Sequence, residues 1–218
     1  PEAETEDEGR LTMERLQQRL RGGSDGYKAR PDAPASGVCI DPAGYILTAR
    51  FNVAGELRAI QARFQDGRRR FARVVAEDER LDVALLKVHT EQPLPHVELA
   101  PDAALRVGEW AIAVGRGAAP GKHAASVGIL SALDRHRGTA IQTDALLNYG
   151  NVGGALVDIE GRLIGVTARL STEAREGQNS GVTFAALADR LVEALPRLKK
   201  GETIARPERA FLGIQGGE

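Results

Sequence analysis

The sequence predicts an all-β protein built from two antiparallel barrels, and three observations predict it. Short apolar runs alternate with turn residues such as Pro42-Ala43-Gly44 and Asp66-Gly67. Those runs fall into two series, divided by a connector that carries Pro93 and Pro95. A chain of 218 residues with 25 glycines and 10 prolines has the length and the turn content for two small barrels sharing one interface.

In chain order, residues 2–8 form an acidic run whose like charges and missing apolar groups predict a disordered tail. Met13, Leu16 and Leu20 then recur at helical spacing and predict a short amphipathic helix, stopped at Gly22-Gly23. A polar lead-in reaches Pro34. The first strand series covers residues 36–40, 45–48, 59–64, 71–76 and 83–88. The second covers residues 110–114, 125–130, 139–143, 155–158, 163–168 and 182–185. Residues 186–198 have helical periodicity, and Pro196 is expected to end or kink that helix near its last turn. The domain organisation expected is a tail, helix and lead-in at 1–35, an N-terminal barrel at 36–100, a C-terminal barrel with its helix at 101–200, and a linker at 201–218.

Composition excludes several function classes. Lysine plus arginine (29) nearly balance aspartate plus glutamate (30), so no basic excess points to nucleic acid. No apolar run approaches the ~18 residues of a membrane span, and no secretory leader pattern occurs, so an export signal is expected upstream or already removed. A single cysteine, Cys39, forbids an internal disulfide, and its run Gly37-Val38-Cys39-Ile40 reads as core. His89, His96, His123 and His136 lack the tight helical spacing of zinc motifs, so no metal and no cofactor are expected.

Several segments carry a more specific signal. Residues 36–48 read Ser-Gly-Val-Cys-Ile-Asp-Pro-Ala-Gly-Tyr-Ile-Leu-Thr, and residues 81–88 read Leu-Asp-Val-Ala-Leu-Leu-Lys-Val. Residues 105–115 read Leu-Arg-Val-Gly-Glu-Trp-Ala-Ile-Ala-Val-Gly, and residues 128–133 read Gly-Ile-Leu-Ser-Ala-Leu. Residues 142–156 read Gln-Thr-Asp-Ala-Leu-Leu-Asn-Tyr-Gly-Asn-Val-Gly-Gly-Ala-Leu, and residues 163–170 read Leu-Ile-Gly-Val-Thr-Ala-Arg-Leu. In this order the series resembles the protease domain of the HtrA (Deg) family of serine proteases, across about Ser36 to Phe184.

The resemblance implies a trypsin-like fold of two six-stranded antiparallel barrels. It places Phe51 at the family's catalytic histidine, Asp82 at the triad aspartate and Val152 at the nucleophilic serine. A serine protease needs a hydroxyl nucleophile, an imidazole base, a carboxylate to orient it and N–H donors for the oxyanion. Neither Phe51 nor Val152 can supply its part, so the sequence predicts a pseudoprotease, not an enzyme, that lost its chemistry naturally. Asp82 is expected to accept backbone or hydroxyl hydrogen bonds, or to sit at a corner opened to water. The Gly150 and Val152 N–H groups would be the oxyanion-hole remnant, although Gly150, Gly153 and Gly154 also suit a purely structural tight turn.

The resemblance further implies that Ala168, Arg169 and Leu170 form the strand that pairs with a bound peptide. The expected work is therefore binding of peptide or unfolded protein, or service as a scaffold or regulatory subunit beside an active family protease. Homotrimeric assembly and a bacterial periplasmic or envelope setting follow from the same resemblance. Two alternatives stay open. One is an active endopeptidase with a relocated nucleophile (Cys39, Ser126 or Ser36) and one of the four histidines as base; the other is a metal-binding or architectural domain. Residues 206–215 resemble the first strand of the PDZ domain that commonly follows such a protease domain, so a cut at that boundary is expected.

Overall fold

The computed structural model describes residues 34–55, 59–101, 104–117, 122–146, 151–170 and 181–207, with residues 169 and 170 described through their backbone. The expected acidic tail, N-terminal helix, Gly150 and PDZ-like strand lie outside the described residues.

Eleven strands occur among the described residues, and each matches a run read from the sequence. The first series is β1 (Val38–Asp41), β2 (Tyr45–Ala49), β3 (Ile60–Arg63), β4 (Arg69–Asp78) and β5 (Val83–Val88). The second is β6 (Trp110–Arg116), β7 (His123–Asp134), β8 (Ala140–Thr143), β9 (Ala155–Val157), β10 (Leu163–Leu170) and β11 (Thr183–Leu187). Strands β6 to β11 close into a barrel in the order β10-β11-β8-β7-β6-β9, whereas the first series forms a five-stranded sheet ordered β1-β2-β5-β4-β3. All named pairings are antiparallel.

Among the described residues the first sheet has no sixth strand, and an irregular segment lies alongside β1. Leu94 N–H donates to the Pro42 carbonyl and Val97 N–H to the Cys39 carbonyl, both at 2.9 Å. Pro93 and Pro95 have no N–H to give, so a continuous ladder cannot form there.

Helix α1 (Ala188–Lys199) follows β11 directly. It runs through Pro196 to Lys199 rather than stopping or breaking there. The ring sits in the last turn, and the carbonyl it deprives of a donor belongs to Val192, a residue on the exposed side. Beyond α1 the chain returns to the first sheet: Ile204 N–H donates to the Glu77 carbonyl (2.8 Å), and Glu79 N–H to the Ile204 carbonyl (2.9 Å).

The core has three parts. Ala113, Leu130, Ile141, Leu156 and Ile164 fill the closed barrel. Ile46, Val53, Leu86, Val88 and Leu94 pack inside the first sheet. The third part is shared: Leu47, Val83 and Leu85 of the first sheet meet Leu163, Val166 and Ala168 of the barrel and Leu191, Ala194 and Leu198 of α1. That shared layer fixes how the two sheets face each other.

Candidate active site

The site forms where three loops meet. β2 leads into a single 3-10 turn, Arg50–Val53, that carries Phe51 and Asn52. β2 and β5 pair with Ala49 opposite Val83, which brings the residue before β5, Asp82, beside that turn. The Arg50 N–H donates to the Asp82 carbonyl at 3.0 Å. A second bond spans a hundred residues: Asn52 Nδ2 donates to the Val152 carbonyl at 2.8 Å. Positions 51, 82 and 152, widely spaced in sequence, are thereby drawn to one place.

Phe51 is half-buried, Asp82 is buried with a left-handed φ of 59°, and Val152 is only 2% exposed. The corner around Asp82 is therefore closed, and the expected alternative of an opening to water does not hold. A left-handed backbone is tolerated by aspartate better than by most side chains. Valine and phenylalanine at these positions offer neither a nucleophilic oxygen nor a titrating nitrogen.

The turn after Val152 is built by backbone constraints. Gly153 has φ +88°, and its N–H donates to the Thr167 carbonyl at 2.6 Å. A Cβ on Gly153 would lie 2.5 Å from both the Ser36 carbonyl oxygen and Thr48 Oγ1, and one on Gly154 would lie 2.2 Å from the Val114 carbonyl oxygen. Both glycines are required by close approach alone. Gly150, the other half of the expected oxyanion pair, lies outside the described residues.

Sequence reasoning missed the polar residues that hold this turn. Asn52 Nδ2 also reaches Thr48 Oγ1 (2.9 Å) and the Ser36 carbonyl (3.3 Å). Thr48 Oγ1 donates to the Ser36 carbonyl at 2.7 Å, and Thr167 Oγ1 lies 3.0 Å from the Asn151 carbonyl oxygen. The available signal was the polar Thr48 and Asn52 on either side of Phe51, at the end of the apolar run Tyr45-Ile46-Leu47. A second missed residue is Asp78, fully buried before the Asp82 corner. Its carboxylate accepts from Arg80 N, Nε and Nη2 and from Leu81 N, so its burial is compensated. The bond to Asp78 in turn raises the Arg80 pKa, outweighing its partial desolvation.

Of the proposed replacement nucleophiles, Ser36 lies beside the glycine turn, its carbonyl accepting from Thr48 and Asn52. Ser126 Oγ donates to the Leu146 carbonyl at 2.6 Å, and Ser36 Oγ accepts the Arg116 N–H at 2.8 Å. Burial pushes the Cys39 thiol pKa up, with the Asp41 charge adding to it, so the thiolate is disfavoured. All four histidines are exposed, with His96 Nδ1 against the Leu94 carbonyl and His136 edge-on to Phe184. No three His, Cys, Asp or Glu side chains converge as a metal site among the described residues.

On the peptide-strand side, β10 is paired on both edges only as far as Val166, where β9 ends opposite it at Ala155. Thr167 still meets the glycine turn, its N–H donating to the Gly154 carbonyl at 2.9 Å. From Ala168, a bulge residue, to Leu170, β11 lies on one side, and no described strand lies on the other.

The model of the trypsin-like peptidase domain matches residues 35–166. The chain belongs to the trypsin-like peptidase family. Within it the similarity is to the HtrA/DegP branch. The chain is 36% identical over 204 residues to the periplasmic serine endoprotease DegP of Salmonella typhimurium, covering 90% of this chain and 42% of DegP. It is 34% identical over 205 residues to a probable periplasmic serine protease do/HhoA-like of Haemophilus influenzae, over 90% and 42% of the two chains. Among solved structures, the HtrA-type protease AlgW with decapeptide superposes with a TM-score of 0.69 at 31% identity, covering 78% of this chain and 53% of AlgW. The chain thus spans about two fifths of the length of the curated relatives it matches. These relatives correct one expectation. They are named serine endoproteases, so this HtrA/DegP-type domain belongs to an enzyme family, and the reading of the chain as a non-enzyme is withdrawn. That reading rested on two side chains, which set what positions 51 and 152 can do and not what the whole protein does.

Proposed function

We propose that this chain is the polypeptide-engaging domain of an HtrA/DegP-type serine endoprotease, receiving an extended segment along the edge of β10 opposite β11, at Ala168, Arg169 and Leu170. The observation that carries this reading is the asymmetry of β10, paired by β11 on one side and, among the described residues, by no strand on the other from Ala168, directly beside the glycine turn. An extended peptide adds there as a further strand, with main-chain hydrogen bonds supplying affinity. AlgW, a solved relative, was determined with a decapeptide, which supports peptide binding by this domain. Periplasmic location and trimeric assembly are part of this proposal, the first supported by the names of the relatives.

Hydrolysis in this chain would need a nucleophile other than residue 152. The side chains of Phe51 and Val152 favour a second reading, in which the domain works beside an active family protease as its scaffolding or regulatory subunit.

Binding is tested by fluorescence polarisation with a labelled unfolded decapeptide and with the same peptide N-methylated at alternate amides. Strand addition predicts binding of the first and at least tenfold weaker binding of the second; equal binding of both overturns the β10 assignment. Digestion of denatured casein and fluorophosphonate labelling, beside the Phe51→His/Val152→Ser chain, separates the two readings. Cleavage by the unaltered chain places the chemistry on another residue, and signal confined to the double variant supports the subunit reading.

A further inference from the structure

The β3–β4 hairpin presents a face that the peptide-binding reading does not use. In the fourteen residues from Ile60 to Arg73 there are five arginines and one acid, Asp66, although the whole chain has a formal charge of -1. Alternation along the strands sorts them. Ile60, Ala62 and Ala72 turn inward and pack against the core of the first sheet. Gln61, Arg63, Arg69, Phe71 and Arg73 stand on the opposite, exposed face.

The register places Phe71 opposite Gln61 and Arg69 opposite Arg63. Phe71 is 73% exposed, with Arg69 and Arg73 two residues to either side of it on the same face. Among the described residues the only ion pair on this hairpin is Arg68 with Asp66, at 3.5 Å. β3 is the outermost strand of its sheet among the described residues, which puts the hairpin at the margin of the sheet.

We propose that this face docks the protein on an anionic phospholipid bilayer, with Phe71 entering the headgroup layer and Arg63, Arg69 and Arg73 pairing with lipid phosphates. An aromatic ring is favoured at the membrane interface, and arginine stems lie along apolar surface while their guanidinium groups stay with the phosphates. Each cation near such a surface strengthens partition by about fivefold. Single-stranded nucleic acid calls for a series of aromatic platforms for successive bases, and this face has one.

Co-sedimentation of the 218-residue chain with vesicles of phosphatidylglycerol and phosphatidylcholine in equal parts, and with phosphatidylcholine alone, tests the proposal. Binding is expected to the anionic vesicles only and to weaken as salt is raised. Arg69→Gln/Arg73→Gln is expected to bind about twenty-five-fold more weakly. Phe71→Ser weakens binding at every salt concentration, because it removes the apolar part of the contact. Arg106→Gln, at an exposed arginine outside the hairpin, leaves partition unchanged. All substituted sites are on the surface, so thermal midpoints matching the parent chain certify folding. Absence of binding, equal binding to neutral vesicles, indifference to the hairpin substitutions, or tighter binding to a single-stranded oligonucleotide than to the anionic vesicles each overturns the proposal.

Discussion

Two glycines with nearly the same backbone angle separate conformational strain from crowding. Gly153 and Gly161 have φ of +88° and +79°, yet a Cβ on Gly161 meets nothing within 4 Å, while one on Gly153 runs into Ser36, Thr48 and Asn52. Gly161→Ala is expected to cost about 1 kcal/mol, the price of a left-handed alanine. Gly153→Ala carries that cost plus a forced shift of two backbone-anchored loops, and is expected to cost about 3 kcal/mol or more. Denaturant midpoints of the two variants give the comparison, and equal losses would mean that the glycine turn can yield. At this scale the sequence was informative in part. Phe51, Asp82 and Val152 were legible as positions because each sits in an ordered motif. The Asn52 bond to the Val152 carbonyl was not, because its partners are a hundred residues apart and no local pattern marks a backbone acceptor.

Elements were legible wherever a two-residue period met a turn signal, which is why all eleven strand runs were found within a few residues of their ends. The exceptions are prolines. Pro93 and Pro95 leave the sixth position of the first sheet to an irregular segment, and Pro196 is absorbed in a last helical turn, so the same residue type broke one ladder and spared one helix. α1 is clasped to the first sheet by Lys199, whose Nζ lies 2.5 Å from Asp41 Oδ2 and 4.6 Å from the centre of the Tyr45 ring. Partial burial pushes the Asp41 carboxyl up, but the hydrogen bonds from Lys199 and Ala43 and the Lys199 charge outweigh it and hold the pKa below its ordinary value. A depressed folded-state value means that the clasp stabilises above the unfolded pKa of ~3.9 and is lost as pH falls through the lower folded value. Because both side chains are partly exposed, the gain is about 0.5–1 kcal/mol. Asp41→Asn is expected to destabilise the fold at neutral pH by that amount, seen as a lower thermal midpoint, and the gap from the parent chain should close below about pH 4. A gap that stayed constant down to pH 2 would assign the effect to the turn hydrogen bond rather than to charge.

For the whole molecule, fold class and family came from sequence because the motifs occur in order along most of the chain, whereas chemistry did not follow from two side chains. The layer shared by Leu47, Leu85, Leu163, Val166, Leu191 and Leu198 draws on both strand series and on α1. Residues after α1 then return to β4, where Ile204 bridges Asp78. The first half of the gene therefore encodes a surface that only the second half can cover. Severing the chain in the connector between Val88 and Trp110 should yield two polypeptides that aggregate when expressed singly and recover a native circular-dichroism spectrum when refolded together, behaving as mutually templating fragments rather than as two separable domains.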